Sequence, residues 1–251
     1  MIGKARFFEV SGLSVFVSER QVLANVSFFL KRGEVVGLMG PNGGGKSSLA
    51  MTIIGNPGYR VLDGDNPSII LDGKELIDKR IDERVRAGIF LGWQSPVAIP
   101  GVSVFAMAKA AYRANHGEVE TTILEFKRKL EKLLERVGLE SAVLGKDLND
   151  SFSGGEKKRL ELFMMLLLRP KLVILDEIDS GLDVDGMRLV GDIVGEMRAE
   201  GSSFILITHY RRLLKYIVPD RVIVLKQGRV VESGGVEIIE KIEENGYKDI
   251  N

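Results

Sequence analysis

The chain has no cysteine, which excludes disulfides, thiol catalysis and thiolate-held metal. It has two histidines, His116 and His209, too few for a transition-metal site. Any metal it uses is expected to be a hard ion such as Mg²⁺, held by oxygens. Charge of one sign is lacking as well: 35 Lys and Arg stand against 35 Asp and Glu. A chain that coats nucleic acid or an anionic membrane carries a basic surplus, so neither is expected as a partner. Long apolar runs are missing. The longest, Leu162 to Leu168, falls far short of the roughly 20 residues that span a bilayer. The N-terminal "MIGKARFFEV" has neither the apolar core of a secretory signal nor the Arg- and Ser-rich character of a transit peptide. A cytoplasmic address without direct membrane insertion is the expectation. No internal repeat and no low-complexity linker interrupts the chain.

What is present is a globular composition, with 45% hydrophobic and 28% charged residues over 251 positions, enough for a sizeable core. "RFFEV", "LSVFV" and "VLANVSFFL" predict three short strands, with "SG" and "SER" as turns between them. "GEVVGLMG" (Gly33 to Gly40) is an apolar strand ending in glycine, and "KSSLAMTIIG" from Lys46 has helical spacing that stops at Gly55. "SIILDGKEL" predicts a hairpin edge and "GIFLGWQ" another strand. From Ser103 to about Val137 the pattern is helical, with Ile123, Phe126, Leu130, Leu133, Leu134 and Val137 on one face. Alternation then returns with "KLVILDE", a helix from about Asp183 to Ala199, "SFILITH" and "RVIVLKQGRVVESG". A helical block inserted into an α/β core predicts two lobes, a core of about 1–95 and 156–251 and a helical lobe of about 96–155. His116, in "RANHGE", reads as exposed loop.

"GPNGGGKSS", comprising Gly40, Pro41, Asn42, Gly43, Gly44, Gly45, Lys46, Ser47 and Ser48, matches G-x-x-x-x-G-K-[ST] between a buried strand and a helix. Its glycines let backbone N–H groups turn toward phosphates, and the helix N-terminus adds partial positive charge. Lys46 is expected at the β- and γ-phosphates and the Ser47 hydroxyl on Mg²⁺. In "LVILDE" (Leu172 to Glu177), two carboxylates end an apolar strand, where open α/β sheets bind ligands. Asp176 suits the Mg²⁺ shell, directly or through water. Glu177, one residue on, points elsewhere and suits the general base for an attacking water. "NDSFSGGEKKRLELF" places Ser153, Gly154 and Gly155 at a helix mouth, a second anion grip.

In order along the chain, the cradle, "GWQ" with Gln94, "FSGGE" (Phe152 to Glu156), "ILDE", "DSGLD" (Asp179 to Asp183) and "ITH" with His209 resemble the ATP-binding cassette (ABC) ATPases. That resemblance implies a P-loop NTPase with a RecA-like core, an N-terminal antiparallel β subdomain and an inserted α-helical subdomain, hydrolysing ATP with Mg²⁺. It implies that Gln94 touches Mg²⁺ and the water, that His209 contacts the γ-phosphate and that Asp183 lies in the D-loop. It also implies that Ser153, Gly154, Gly155 and Glu156 act in trans, completing the ATP site of a second copy in a transient homodimer. Two departures stand out. Val17 occupies the position where an aromatic residue commonly stacks on adenine, with Phe16 on the opposite face of the strand. Gly44 and Ser48 replace a more familiar Ser and Thr.

Within that family, "GIFLGWQSPVAIPGVS", "FSGGEKKR" with Glu156 in place of a common Gln, "DEIDSGLD" and "ITHYRRLLKYIVPD" are similar to the SufC-type branch. That branch is the soluble ATPase of the SufBCD iron–sulfur assembly system. The partners implied are SufB- and SufD-like proteins docking near the helical lobe and the Gln94 segment. A chain without cysteine ligates no iron–sulfur cluster itself, so the cluster is built on a partner. The alternative is a nucleotide-binding subunit of an ABC membrane transporter, which shares every motif. Long coiled-coil repair and chromosome ATPases do not fit, because Ser153 follows Lys46 too closely to admit such an arm. Lys158, on the Ser153 helix, is a candidate to pair with Glu177 and hold it back; the alternative for "KKR" is a solvated helix face.

Overall fold

The computed structural model describes residues 6–64, 66–93, 98–117, 122–208, 211–247 and 250. The N-terminal stretch folds as two long strands rather than three short ones, β1 (Arg6–Val17) and β2 (Arg20–Lys31), paired antiparallel. "SG" is no turn: Gly12 takes φ +59° and the register shifts between Val10 and Leu13. A bulge of this kind bends a strand without ending it. The reversal comes at Ser18 and Glu19, where Ser18 adopts φ +52°.

The fully buried β3 (Val35–Met39) runs into the glycine cradle and helix α1 (Lys46–Ile54), which Gly55 ends at φ +85°. A short β4 (Arg60–Val61) and the hairpin of β5 (Ser68–Leu71) and β6 (Lys74–Glu75) extend the first sheet, whose order is β2-β1-β5-β6 with β4 also on β1. Helix α2 (Ile81–Ala87) leads to β7 (Ile89–Gly92). The helical block follows: β8 (Ile99–Ser103), α3 (Val104–His116), α4 (Ile123–Arg136) and β9 (Asp147–Leu148), with β8 and β9 paired antiparallel. Then come α5 (Gly154–Leu168), β10 (Leu172–Asp176), α6 (Val184–Ala199), β11 (Ser203–Ile207), α7 (Arg211–Leu214), the hairpin β12 (Arg221–Lys226) and β13 (Arg229–Gly234), and α8 (Glu237–Asn245).

The second sheet has the order β13-β12-β3-β11-β10-β7, parallel except for the β12–β13 hairpin. Strands β3, β10 and β11 are buried throughout, which is why they read as unbroken apolar runs. Alternation still sorts their side chains. Val173, Leu175, Phe204 and Leu206 face α5 and α6, with Phe163 and Val190. Leu172, Ile174, Ile205 and Ile207 face α1 and the first sheet, with Leu49 and Leu13. Because β11 lies between β3 and β10, the cradle and the carboxylate pair emerge on either side of its C-terminal end. In α4, Phe126, Leu130 and Leu134 are buried as predicted, but Ile123 is 65% exposed. It is the helix's first residue, within the capping box that Thr122 and Glu125 form, and lies outside the packed stretch. His116 ends α3 instead of lying in a loop, and its ring stacks on Tyr112 at 4.3 Å.

Candidate nucleotide site

The cradle is built by close backbone approach. A Cβ at Gly40 would lie 2.0 Å from the Leu225 carbonyl oxygen, and one at Gly44 2.7 Å from the same atom, so only glycine lets the loop lie against β12. The hairpin turn after β12 locks it: Gly228 N–H donates to the Gly44 carbonyl at 2.9 Å, and Ala24 N–H to the Gly228 carbonyl at 2.8 Å. From the other side, Gly40 N–H donates to the Tyr247 hydroxyl at 3.2 Å. The mouth of α1 has no side-chain cap and no acidic residue in its first turn. Its leading N–H groups and the partial positive charge of the helix end are left for an anion.

Lys46 is buried and donates to the Gly40 and Pro41 carbonyls at 2.8 and 3.1 Å. Burial pulls its pKa down, while Asp176 and Glu177 pull it back up. Asp176 is buried and hydrogen-bonded to Ser47; burial raises its pKa above the ordinary carboxylate range. Its Oδ1 has no hydrogen-bond partner among the described residues. A hydroxyl beside a buried carboxylate with an unsatisfied oxygen is a donor set that fits a hard cation, although no group of three His, Cys, Asp or Glu is found among the described residues. Glu177 adopts φ +52° and donates its N–H to the Ile207 carbonyl at 2.8 Å. A non-glycine residue in this region is strained, and such strain collects at functional sites. Here it turns successive carboxylates apart, so that Glu177 lines the cavity while Asp176 lies beneath it.

The cavity has a volume of about 1010 Å³ and is lined by Asn42 and the cradle through Ser48, by Glu177, by Arg20, Gln21 and Val22, and by Gln227 and Gly228. Val17 is not among its walls. It pairs with Arg20 at the end of the β1–β2 ribbon, and the residues just past that turn face the cavity instead. Arg20 to Val22 and the Gln227–Gly228 turn are site residues that sequence motifs did not single out, although "SER" and "KQGR" announce the turns that carry them. Gln94 and His209 lie outside the described residues.

Ser153, Gly154 and Gly155 are elsewhere. Ser153 caps α5, accepting from Glu156 N–H at 3.2 Å while the Glu156 carboxylate accepts from Ser153 N–H at 2.9 Å. Those bonds hold the Glu156 carboxyl below its usual pKa. None of the three residues lines the cavity of its own chain. A Cβ on Gly154 would meet nothing within 4 Å, so the loop is open to a partner. Asp183 caps α6 by accepting from Gly186 N–H at 2.7 Å, and the buried Asp179 accepts from the Thr208 hydroxyl at 2.9 Å. Lys158 neither lies on a solvated face nor pairs with Glu177. It is buried, ion-paired with Glu161 at 3.2 Å, and donates to the Trp93 carbonyl.

Comparison with known proteins accords with this geometry. The family model described as "ABC transporter" matches residues 23–180. A probable ABC transporter ATP-binding protein of Streptococcus pyogenes is 42% identical over 243 residues, covering 96% of this chain and 94% of its own. Vegetative protein 296 of Bacillus subtilis is 42% identical over 95% of this chain and 90% of its own. A probable ATP-dependent transporter, ycf16, of Cyanophora paradoxa is 40% identical over 99% and 96%. Among solved structures, an ATP-binding subunit of an ABC transporter superposes with a TM-score of 0.79 at 27% identity, covering 97% of this chain and 95% of its own. A dimeric bacterial ABC transporter cassette shares the fold, with a TM-score of 0.78 at 20% identity, over 91% and 98%. The chain belongs to the ABC family of ATP-hydrolysing cassettes.

Proposed function

We propose that two copies of this chain close head to tail on two ATP molecules, and that the closing and reopening works a soluble partner of the SufB/SufD type. The observation that carries the reading is the separation within one chain: the cradle and Glu177 share a cavity, and the Ser153 helix mouth lies outside it. A second copy turned about a twofold axis brings each helix mouth to the other's cavity.

In this reading the cradle amides hold the phosphates, and Lys46 exchanges the Gly40 and Pro41 carbonyls for β- and γ-phosphate oxygens. Ser47 and Asp176, with Gln94, would hold Mg²⁺, which would supply positive charge to offset that of the phosphates. Glu177 accepts a proton from the attacking water, and His209 contacts the γ-phosphate. Ser153, Gly154 and Gly155 of the second copy present backbone N–H groups to the γ-phosphate, where charge develops in the transition state. Asp183, as the cap of α6, shapes the D-loop between the two sites. The core lobe, about 1–95 and 156–251, carries the cradle; the helical lobe, about 96–155, faces the partner.

Support for a partner seat comes from an apolar groove of about 500 Å³ between α2, β7, α3 and α5, lined by Ile81, Phe90, Trp93, Ile99, Met107 and Met164 among others. Ile81, Trp93 and Ile99 are each 40% exposed or more, a costly arrangement unless something covers them. The strings around Gln94, Ser153 and His209 favour an iron–sulfur assembly scaffold. The names of the curated relatives favour the second reading, a transporter subunit, whose partner would be a polytopic membrane protein. No described helix is long and apolar enough to cross a membrane. Affinity purification in parallel from membrane-free lysate and from detergent-solubilised membranes, with mass spectrometry of what co-elutes, separates the two. Recovery of only a polytopic membrane protein would overturn the assembly reading.

A further inference from the structure

Lys158 and Glu161 sit three residues apart on α5, with side chains only 4% and 11% exposed. An ion pair so deeply placed adds little stability over apolar side chains of the same size, because desolvation offsets attraction. Its hydrogen bonds indicate another use. Glu161 Oε1 accepts the Trp93 N–H at 2.6 Å, and the Lys158 ammonium donates to the Trp93 carbonyl. Glu161 Oε2 faces the ammonium at 3.2 Å and has no other partner among the described residues. Besides pairing with each other, both side chains direct a hydrogen bond at one residue's backbone. Burial pushes the Glu161 carboxyl up, and Lys158 draws it back. The same ammonium acts electrostatically on Asp176.

We propose that Lys158 and Glu161 are positioning residues, a two-sided clasp on the Trp93 backbone that ties the Ser153 helix to the start of the Gln94 segment. Trp93 directly follows β7. Holding both its N–H and its C=O fixes the Trp93 backbone against α5 at the end of β7. A shift of α5, whose N-terminus is the helix mouth offered to the second copy, carries Trp93 with it. Trp93 also lines the apolar groove, so one residue joins the partner seat to the Ser153 helix. The clasp rests on the reading of α5 as the helix that completes a second copy's site.

The chain has a single tryptophan, so intrinsic fluorescence reports on the clasp without contamination. Three variants of the full-length protein are compared: E161L, E161Q, and the reversed pair K158E/E161K. E161L removes the acceptor for Trp93 N–H; its Trp93 emission is expected to shift and to quench more readily with acrylamide, in nucleotide-free protein. Its kcat for ATP is expected to fall about tenfold or more while KM stays within about twofold, because a mispositioned segment costs rate rather than binding. E161Q keeps an acceptor for the Trp93 N–H but replaces the counter-charge of Lys158 with a neutral amide, so it is expected to melt lower while Trp93 emission and kcat stay near wild type. The reversed pair restores opposite charges but turns a carboxylate toward the Trp93 carbonyl, and is not expected to rescue. E161Q as impaired as E161L, or rescue by the reversed pair, overturns the clasp in favour of a plain ion pair. Unmoved Trp93 emission or unchanged kcat in folded E161L overturns it outright, and E161Q alone decides should the other two fail to fold. The fluorescence arm needs neither dimer nor partner, so it fails or succeeds independently of the proposed function.

Discussion

If the helix mouth of one copy completes the cavity of the other, two dead variants should revive each other. The first is Gly154→Asp. A Cβ there meets nothing within 4 Å, and Gly154 is the first residue of α5, where an acidic side chain is favoured by roughly 0.3–1 kcal/mol through the helix dipole. G154D should therefore melt at or slightly above the wild-type temperature, yet place a negative charge where the second copy's γ-phosphate must come. The second is Lys46→Ala, which leaves the helix mouth intact and removes the cation from the cradle. Each homodimer is inactive. Mixed one to one, about half of the dimers pair one chain of each kind by random association of a twofold dimer. In such a dimer one site combines an intact cradle with an intact mouth, and the other combines both lesions. Half of the dimers with one of two sites alive gives about a quarter of wild-type activity for independent sites. The assay is phosphate release against mixing ratio, with a maximum at equal amounts. If each chain completes its own site, no mixture contains a working one. A flat, inactive mixing curve with both variants folded refutes the trans arrangement.

Glu177→Gln should lower turnover by roughly 10²–10⁴ while ATP still binds, and size exclusion should show an ATP-dependent dimer; wild-type turnover would mean that another group activates the water. Arg84→Lys tests the floor of α1. The buried Arg84 forks onto the Thr52 and Ile53 carbonyls of the last turn, both at 2.9 Å, and onto Lys79 at 2.8 Å and Ile77 at 2.6 Å. An ammonium cannot reach all four, so stability should fall by about 2–4 kcal/mol, read as a drop in Tm, and an unmoved Tm refutes the assignment. Tyr247→Phe removes the hydroxyl behind Gly40 and should raise KM for ATP a few-fold, about 1 kcal/mol, with kcat near wild type. An unchanged KM would show that the cradle does not lean on the C-terminal segment.

Much of this molecule is legible from one sequence because its chemistry is carried by local strings. The cradle needs glycines in order, Lys46 six positions after Gly40, and a helix that starts at once; all of that is contiguous. The strand before it and "LVILDE" announce themselves as wholly apolar because they are buried on both faces of a parallel sheet. The walls of the cavity are different. Arg20 to Val22, at the start of β2, and Gln227–Gly228, in the turn after β12, are about 200 residues apart, and they are joined where Ala24 N–H donates to the Gly228 carbonyl. Nothing in "SERQV" or "KQGR" says which turn will face a ligand. The first sheet departs from its sequence pattern for a related reason: Ser-Gly reads as a turn, but in a strand paired with β2 on one side and β5 on the other, the same two residues make a bulge.

Lys158 shows where pattern reading stops. In "GGEKKRLELF" three cations in a row look like a solvated face, and the helix carries no clear apolar stripe because α5 is buried on most sides. Helical geometry separates the three by about 100° each, so a run of like charges must point in different directions. Lys158 points inward, Arg159 reaches the Val137 carbonyl at 2.8 Å, and neither behaves as a surface charge. An inward cation is tolerable only with a counter-charge and carbonyls to satisfy it. Glu161, one turn on, is the nearest acid able to supply the charge from the same face. The carbonyl comes from Trp93, sixty-five positions earlier, and that tertiary contact decides what the pair is for. The spacing Lys-x-x-Glu on a helix with no solvated face is thus a usable signal for a buried polar bridge. What it bridges to follows only from the order of the strands, which sets β7 next to β10 and brings its exit to the side of α5.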